Sequence, residues 1–254
     1  MAIVIDINSD VGERPEALAD GSEEKLIRNI TSANIACGGH AGDADSIPKV
    51  MKICSKCGAG IGAHPSFPDK ESFGRKELNL QMDEITEFVF QQVSACVIIA
   101  ENNGFKVRHV KPHGALYNSA VNKKEIAKAI ALGIKNISRE FILFGLAGSQ
   151  MLEVWQDEGF VVAPEAFADR LYEDDGTLRS RKFPDSLITD PKKAAQQALK
   201  IAVEGKVISI TGKEIKVLAG TICLHSDTKN SDLIASEIRS ILAGNGVQIK
   251  SVNT

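Results

Sequence analysis

The sequence predicts an α/β protein built on a parallel sheet of about seven strands, in one domain spanning 1–254. Three observations predict it. Short apolar, β-branched runs alternate with longer segments of helical periodicity almost to the C-terminus. Nearly every such run ends in polar, chemically capable residues. No Pro/Gly/Ser-rich linker and no internal repeat divides the chain.

The elements follow in order. Ile3 to Asn8 is short and β-branched, a first strand; Asp20-Gly21-Ser22-Glu23 then offers a helix N-cap with an acid three residues on. Ser32 to Cys37 is the second strand. Ile47, Val50, Met51 and Cys54 share one stripe of a helix from Ser46 to Cys57, with Gly58 as its C-cap. Ile61 to Ser66 is the third strand, and Met82 to Asn103 is a long helix whose stripe is Ile85, Val89, Val93, Cys96 and Val97. Val107 to Lys111 reads as a strand and Asn122 to Ser138 as a helix. Phe141 to Leu146 and Phe160 to Ala163 are strands flanking a short helix that carries Trp155. Asp190-Pro191 opens a helix to Glu204 as N-cap and N1. Alternation around Thr211-Gly212-Lys213 predicts a β-hairpin insertion at 206–217; Thr221 to Leu224 is the last strand and Ser231 to Leu242 the last helix. Strand order is not written in one sequence, so an open doubly wound sheet competes with a closed barrel at this stage.

Composition excludes several function classes. Hydrophobic residues at 43% and charged residues at 25% match a folded globular chain. A net charge of −3 supplies no basic field for phosphate backbones, so no nucleic-acid partner is expected. No apolar run approaches the roughly 20 residues that span a bilayer, so no membrane partner is expected. Met1 to Asp6 has no basic region like that of a signal peptide. The five cysteines are odd in number and without framework spacing, which fits a reducing, cytoplasmic setting.

The chemistry gathers at the strand ends, and in parallel α/β folds those ends share one face that carries the active site. The first strand delivers Asn8, Asp10 and Glu13; the second His40 and Asp43; the third His64, with Arg75 in the loop beyond. The fourth delivers Lys111 and His113, then Tyr117; the sixth Glu165, Asp169 and Arg170; the last His225 and Asp227. Four of the five histidines lie on such ends. His109, inside an apolar strand stretch, reads as structural, and Cys54-x-x-Cys57 as helix packing because no second pair accompanies it. Cys37 lies beside the predicted site, but a thiol nucleophile needs an activating base. No Gly-x-x-x-x-Gly-Lys-Ser/Thr P-loop exists, and Gly58-Ala59-Gly60-Ile61-Gly62 precedes a strand, which makes it a helix cap and turn.

Several blocks resemble one family. They include Asn8-Ser9-Asp10-Val11-Gly12-Glu13, Ser32 through Asp43, Gly62-Ala63-His64-Pro65, Phe73-Gly74-Arg75, His109 through Asn118, Phe167-Ala168-Asp169-Arg170 and Thr221 through His225. In this order they resemble the lactam-utilisation (LamB/YcsF-like) family of 5-oxoprolinase A subunits. The resemblance implies a distorted, seven-stranded (β/α) TIM-like barrel of the glycoside hydrolase/deacetylase type. It also implies ATP-dependent cyclic-amide hydrolysis, the opening of 5-oxo-L-proline to L-glutamate, with ATP as co-substrate (with Mg2+) and subunits B and C as partners. The chain departs from the family pattern at Ser226, where a Gly is usual, at Lys229 for Pro and at Ser9 for Cys.

A five-membered lactam is a poor electrophile, and phosphorylating its carbonyl oxygen would activate it. Such a site needs a base for water, cations for phosphate and carboxylate, and donors for developing negative charge. Asp10, His64 and His113 are the expected acid/base residues. Lys111 and Arg170 are expected to hold phosphate or the substrate carboxylate, Arg170 with bidentate geometry. Asn8, Glu13, His40, Asp43, Arg75, Tyr117, Glu165, Asp169, His225 and Asp227 complete the expected substrate and nucleotide site. His40, Asp43, His64, Asp10, His225 and Asp227 also offer N/O ligands for a divalent metal, whose identity is left open. The chain is read as lacking the His-x-x-x-His spacing characteristic of metal-dependent deacetylases. The competing functions are a stand-alone metal-dependent amidase or carbohydrate deacetylase, by fold analogy alone, and a non-catalytic partner-binding subunit.

Overall fold

The computed structural model describes residues 2–252. Seven parallel strands close into a barrel: β1 (Val4–Val11), β2 (Ser32–Ala36), β3 (Gly60–His64), β4 (Val107–Val110), β5 (Ile142–Leu146), β6 (Val161–Phe167) and, after an antiparallel hairpin of β7 (Lys206–Ile208) and β8 (Glu214–Lys216), β9 (Thr221–His225). Closure comes from β9, which pairs with β6 on one side and with β1 on the other, placing Asp10 beside His225. The barrel expected from the family resemblance is therefore the one present, and the open sheet is not. The hairpin stands outside the ring: its two strands pair with each other, and its turn meets Tyr172 through a bridge at Ser209.

The apolar residues of the strands face outward, against a jacket of helices. The jacket includes α3 (Ser46–Cys57), α4 (Met82–Asn102), α6 (Lys124–Lys135), α7 (Gln150–Asp157), α8 (Pro191–Glu204) and α9 (Ser231–Gly244). The stripe Ile85, Val89, Val93 and Cys96 is fully buried, as helical spacing predicts. Asp190 caps α8 by accepting the Lys193 N–H at 2.9 Å, and Trp155 of α7 is wholly buried, donating its indole N–H to the Ala127 carbonyl.

The lumen is polar, because side chains of non-adjacent strands bond across it. Asn8 of β1 donates to Glu165 of β6 at 2.9 Å, and His109 of β4 donates to Asn34 of β2 at 2.9 Å. The ring of His109 crosses over β3 at Gly62, where a Cβ would stand 2.1 Å from Nε2; only glycine leaves room. Pro112 and Lys111 follow directly, so the mouth of the lumen opens where β4 ends.

Four local expectations are corrected. The segment after β4 is a helix, α5 (Gly114–Asn122), separated from α6 by extended backbone at Lys123. Its Ala115, Leu116, Tyr117, Ser119 and Ala120 are buried and only Asn118 and Asn122 are exposed, a single i, i+4 pair too short to mark a helical period. Between β1 and β2 stand two short helices, α1 (Pro15–Asp20) and α2 (Ser22–Ile27), hinged on Gly21 in the left-handed conformation. Gly21, not Asp20, precedes α2, and Glu23 turns inward to accept the Gly12 N–H at 2.7 Å instead of completing a capping box. A two-residue strand, β10 (Gln248–Ile249), extends the N-terminal half of β1. It is too short to carry an alternating pattern.

Candidate active site

Three rings meet at the C-terminal mouth of the barrel. His64 is the last residue of β3, His113 follows β4, and His40 stands in the glycine-rich loop after β2. The His40 and His113 rings stack at 3.7 Å, and His64 packs edge-on to both at 5.6 and 4.9 Å. All three are buried, as is Glu13, which comes off the end of β1.

Hydrogen bonds fix how two of these rings are protonated. His64 Nδ1 donates to the Lys111 carbonyl at 2.6 Å, and His113 Nε2 donates to the Phe73 carbonyl at 3.0 Å. In the neutral ring the remaining nitrogen is then a lone pair. Those two nitrogens, His64 Nε2 and His113 Nδ1, lie 3.0 Å apart. Glu13 Oε1 lies 3.2 Å from His113 Nδ1, 3.8 Å from His64 Nε2 and 2.9 Å from His40 Nε2. Burial and the neighbouring imidazoles hold His113 well below the usual histidine range, and burial lowers His40. Backbone strain supports the arrangement: Phe73 is one of two non-glycine residues at positive φ among the described residues, at 56°. The loop it begins sits on Gly114 at φ 53°, where a Cβ would come 2.6 Å from the Gly74 carbonyl.

A second network lies beside the rings. Lys111 is buried with its Nζ 2.9 Å from Asp10 Oδ1, 3.1 Å from Glu165 Oε1 and 3.0 Å from Cys223 Sγ. Asn34 donates to both Asn8 and Asp10 at 2.8 Å, and Tyr117 donates its hydroxyl to Glu165 at 2.8 Å. Asp10 Oδ2 also lies 3.3 Å from His64 Nε2. Burial alone would raise the Asp10 carboxyl, but the Lys111 ammonium beside it holds it below the usual range, so it is ionised. Burial would depress Lys111, yet Asp10, Cys223 and Glu165 keep it charged.

A cleft of about 660 Å³ opens onto this network, lined by Asp10, Lys111, His113, Tyr117, His225 and a cationic wall of Arg75, Arg170 and Arg181. Burial and Arg181 bring the Arg170 guanidinium down to about 10; its Nε has no partner in the structure. A second cleft of about 670 Å³ lies on the other side of the ring cluster, lined by Glu13, Arg14, His40, Asp43, Lys49 and Lys70.

The structure thus brings Asn8, Asp10, Glu13, His40, His64, Lys111, His113, Tyr117 and Glu165 together, and it separates others. Asp43 stands apart from the ring cluster. It is exposed and accepts the Asp45 and Ser46 N–H groups at 3.0 and 2.7 Å, a turn that opens α3. It lines the second cleft, together with Glu13 and His40. Asp169 is fully buried and holds His225 Nδ1 at 3.0 Å, so it orients a neighbour and does not face the cleft. Asp227 is taken up by Arg75 at 2.5 Å and Arg181 at 2.8 Å. One His-x-x-x-His spacing does exist, His109 to His113, but the strand divides the pair: His109 stacks on Phe144 at 4.3 Å inside the lumen. Cys37 is buried, which pushes its thiol well up and leaves no thiolate for attack. Sequence reasoning missed Arg181, Asn34 and the Phe73 carbonyl. Arg181 lies in a loop far from any strand end. A polar Asn34 in a fully buried strand was the signal available for the second.

A profile of the LamB/YcsF family matches residues 5–254. The chain belongs to that family. A LamB/YcsF relative from Chloroflexus aurantiacus, named as the A subunit of 5-oxoprolinase, is 43% identical over 249 residues, 98% of each chain. One of the same name from Shouchella clausii is 41% identical over 249 residues, again 98% of each. The lactam utilization protein from Thermus thermophilus superposes with a TM-score of 0.89 at 38% identity, covering 97% of this chain and 99% of that one.

Proposed function

We propose that this chain is the A component of an ATP-dependent 5-oxoprolinase, a cytoplasmic hydrolase acting on a cyclic amide with partner subunits B and C. The carrying observation is the cleft in which an ionised, buried Asp10 stands between Lys111 and His64, facing a wall of three arginines. The full-length similarity to relatives of that name supports the substrate class.

The chemistry follows from the parts. Ring opening adds a water oxygen to the lactam carbonyl carbon and breaks the ring C–N bond; the nitrogen leaves as an amine after gaining a proton. Asp10, backed by His64 and His113, takes the proton of the attacking water. Lys111 offsets the negative charge carried by the phosphorylated carbonyl oxygen as water adds to the carbon. Arg75, Arg170 and Arg181 hold the substrate carboxylate or the phosphate of an activated substrate. B and C are assigned the phosphorylation of the carbonyl oxygen by ATP, which releases ADP; once water has added and the C–N bond has broken, the new carboxyl carries that phosphate, and a second water hydrolyses this acyl phosphate to glutamate and inorganic phosphate. Tyr117 and Glu165 position Lys111 from below.

The test is reconstitution of the three subunits with Asp10→Asn in this chain. Glutamate formation falls by about 100-fold or more while the complex assembles normally; an unchanged rate contradicts the assignment. The stand-alone metal amidase or deacetylase reading rests on the imidazole cluster alone. It predicts turnover of N-acetyl sugars or simple amides without B, C or ATP.

A further inference from the structure

We propose that Glu13, His40, His64 and His113 form a binding site for one divalent transition-metal ion, zinc being the best match. The argument rests on where lone pairs point, and it is independent of the substrate proposed above. His64 and His113 each spend their ring N–H on a backbone carbonyl, of Lys111 and Phe73. Their other nitrogens converge at 3.0 Å, a contact between two acceptors that nothing on the protein bridges. Glu13 Oε1, a third acceptor, lies 3.2 and 3.8 Å from the same two atoms. His40 brings Nε2 to within 2.9 Å of that oxygen, while its Nδ1 is buried without a partner, so no hydrogen bond forbids the tautomer that frees Nε2.

The spacings suit such an ion. Ligand atoms 2.0–2.1 Å from a tetrahedral centre are about 3.3 Å from one another. Those given above run from 2.9 to 3.8 Å, and all four atoms fall within 4.8 Å of each other. Three imidazoles and one carboxylate are a borderline donor set, suited to zinc, cobalt, nickel or manganese and not to calcium. The N–H bonds to the two carbonyls are the outer contacts that commonly hold ligating rings in place.

The neighbouring trio Asp10, Cys223 and His225 is also close enough to hold an ion. It is not the site, because the Lys111 ammonium already lies 2.9 Å from Asp10 and 3.0 Å from Cys223, and that charge repels a second cation.

The experiment uses the purified full chain without substrate. It is stripped with chelator, titrated with zinc, cobalt or manganese, and read by elemental analysis, calorimetry and the visible spectrum of the cobalt form. One ion binds per chain, with the intense visible bands of a tetrahedral cobalt centre. Glu13→Gln and His40→Asn each weaken binding by about 100-fold or more, whereas Cys223→Ala leaves it unchanged. Circular dichroism establishes that each variant is folded, and should one ligand variant fail to fold, the other carries the comparison. Absence of stoichiometric binding to the wild type overturns the proposal. So does equal binding by a folded ligand variant, or loss of binding on Cys223→Ala with the ligand variants intact. Because the readout needs neither 5-oxoproline nor ATP, failure here leaves the proposed activity standing, and the reverse also holds.

Discussion

Lys111 and Asp10 form a buried ion pair, Nζ to Oδ1 2.9 Å, at the point where the polar lumen of the barrel meets the cleft. The pair is held from below by Glu165 and Asn34 and flanked by His64. It links the fold to the proposed chemistry, since the same two side chains satisfy the lumen and face the substrate.

Replacing Lys111 by Met leaves two buried carboxylates, Asp10 and Glu165, without their cation. Breaking one side of a buried pair typically costs about 3–5 kcal/mol. Denaturant unfolding of Lys111→Met is expected to show a loss of this size, accompanied by loss of activity in the reconstituted complex. A variant as stable as wild type contradicts the network described.

Arg181 reaches Asp227 at 2.8 Å from a loop remote in sequence, and its neighbour Arg170 carries a buried nitrogen without a partner. Arg170→Lys removes the planar fork while keeping a positive charge. Steady-state kinetics of the complex are expected to show KM for 5-oxoproline or ATP raised about 10-fold or more, with a smaller change in kcat. An effect confined to kcat places Arg170 outside substrate binding.

Gly114 holds φ 53° with no space for a Cβ against the Gly74 carbonyl. Gly114→Ala strains the turn by about 1–3 kcal/mol and pushes the Phe73–Gly74 loop away from His113. Displacements near 1 Å at a reacting group cost as much as about 100-fold in rate. The expected result is an enzyme that folds with a modestly lowered Tm and loses most of its activity.

His109 gives the chain a calculable response to acid. Burial pushes its imidazole down to about 3 from an ordinary 6.5, so the folded protein keeps it neutral while the unfolded chain takes up a proton. Its contribution to stability is complete above pH 6.5 and is lost progressively as pH falls toward 3. At about 1.4 kcal/mol per pH unit, roughly 2–3 kcal/mol is gone by pH 4.5. Chemical denaturation across this range is expected to show a flatter profile for His109→Gln, which keeps a donor for Asn34. An identical slope in the variant places the acid sensitivity elsewhere.

Much of this could be read before any coordinates. Strand runs ending in Asp10, His64 and His113 were visible because a parallel barrel must put those ends on one face. What escaped has physical causes. Asp43 looks in sequence like any other acid on a glycine-rich loop, and its capping bonds to Asp45 and Ser46 appear only once the turn is folded. The α5 helix was hard to see because its exposed face is one short pair, Asn118 and Asn122, over nine residues that begin at a glycine. The Phe73 carbonyl that orients His113 belongs to backbone, which carries no residue signature. His109 and His113 share a ligand-like spacing, yet extended backbone and Pro112 send one into the lumen and the other to the mouth.

The most direct measurement mixes purified B and C with ATP and 5-oxoproline, then adds this chain and follows glutamate against ATP consumed. The account predicts that glutamate appears only once the chain is added. Glutamate at the full rate from B and C alone contradicts it.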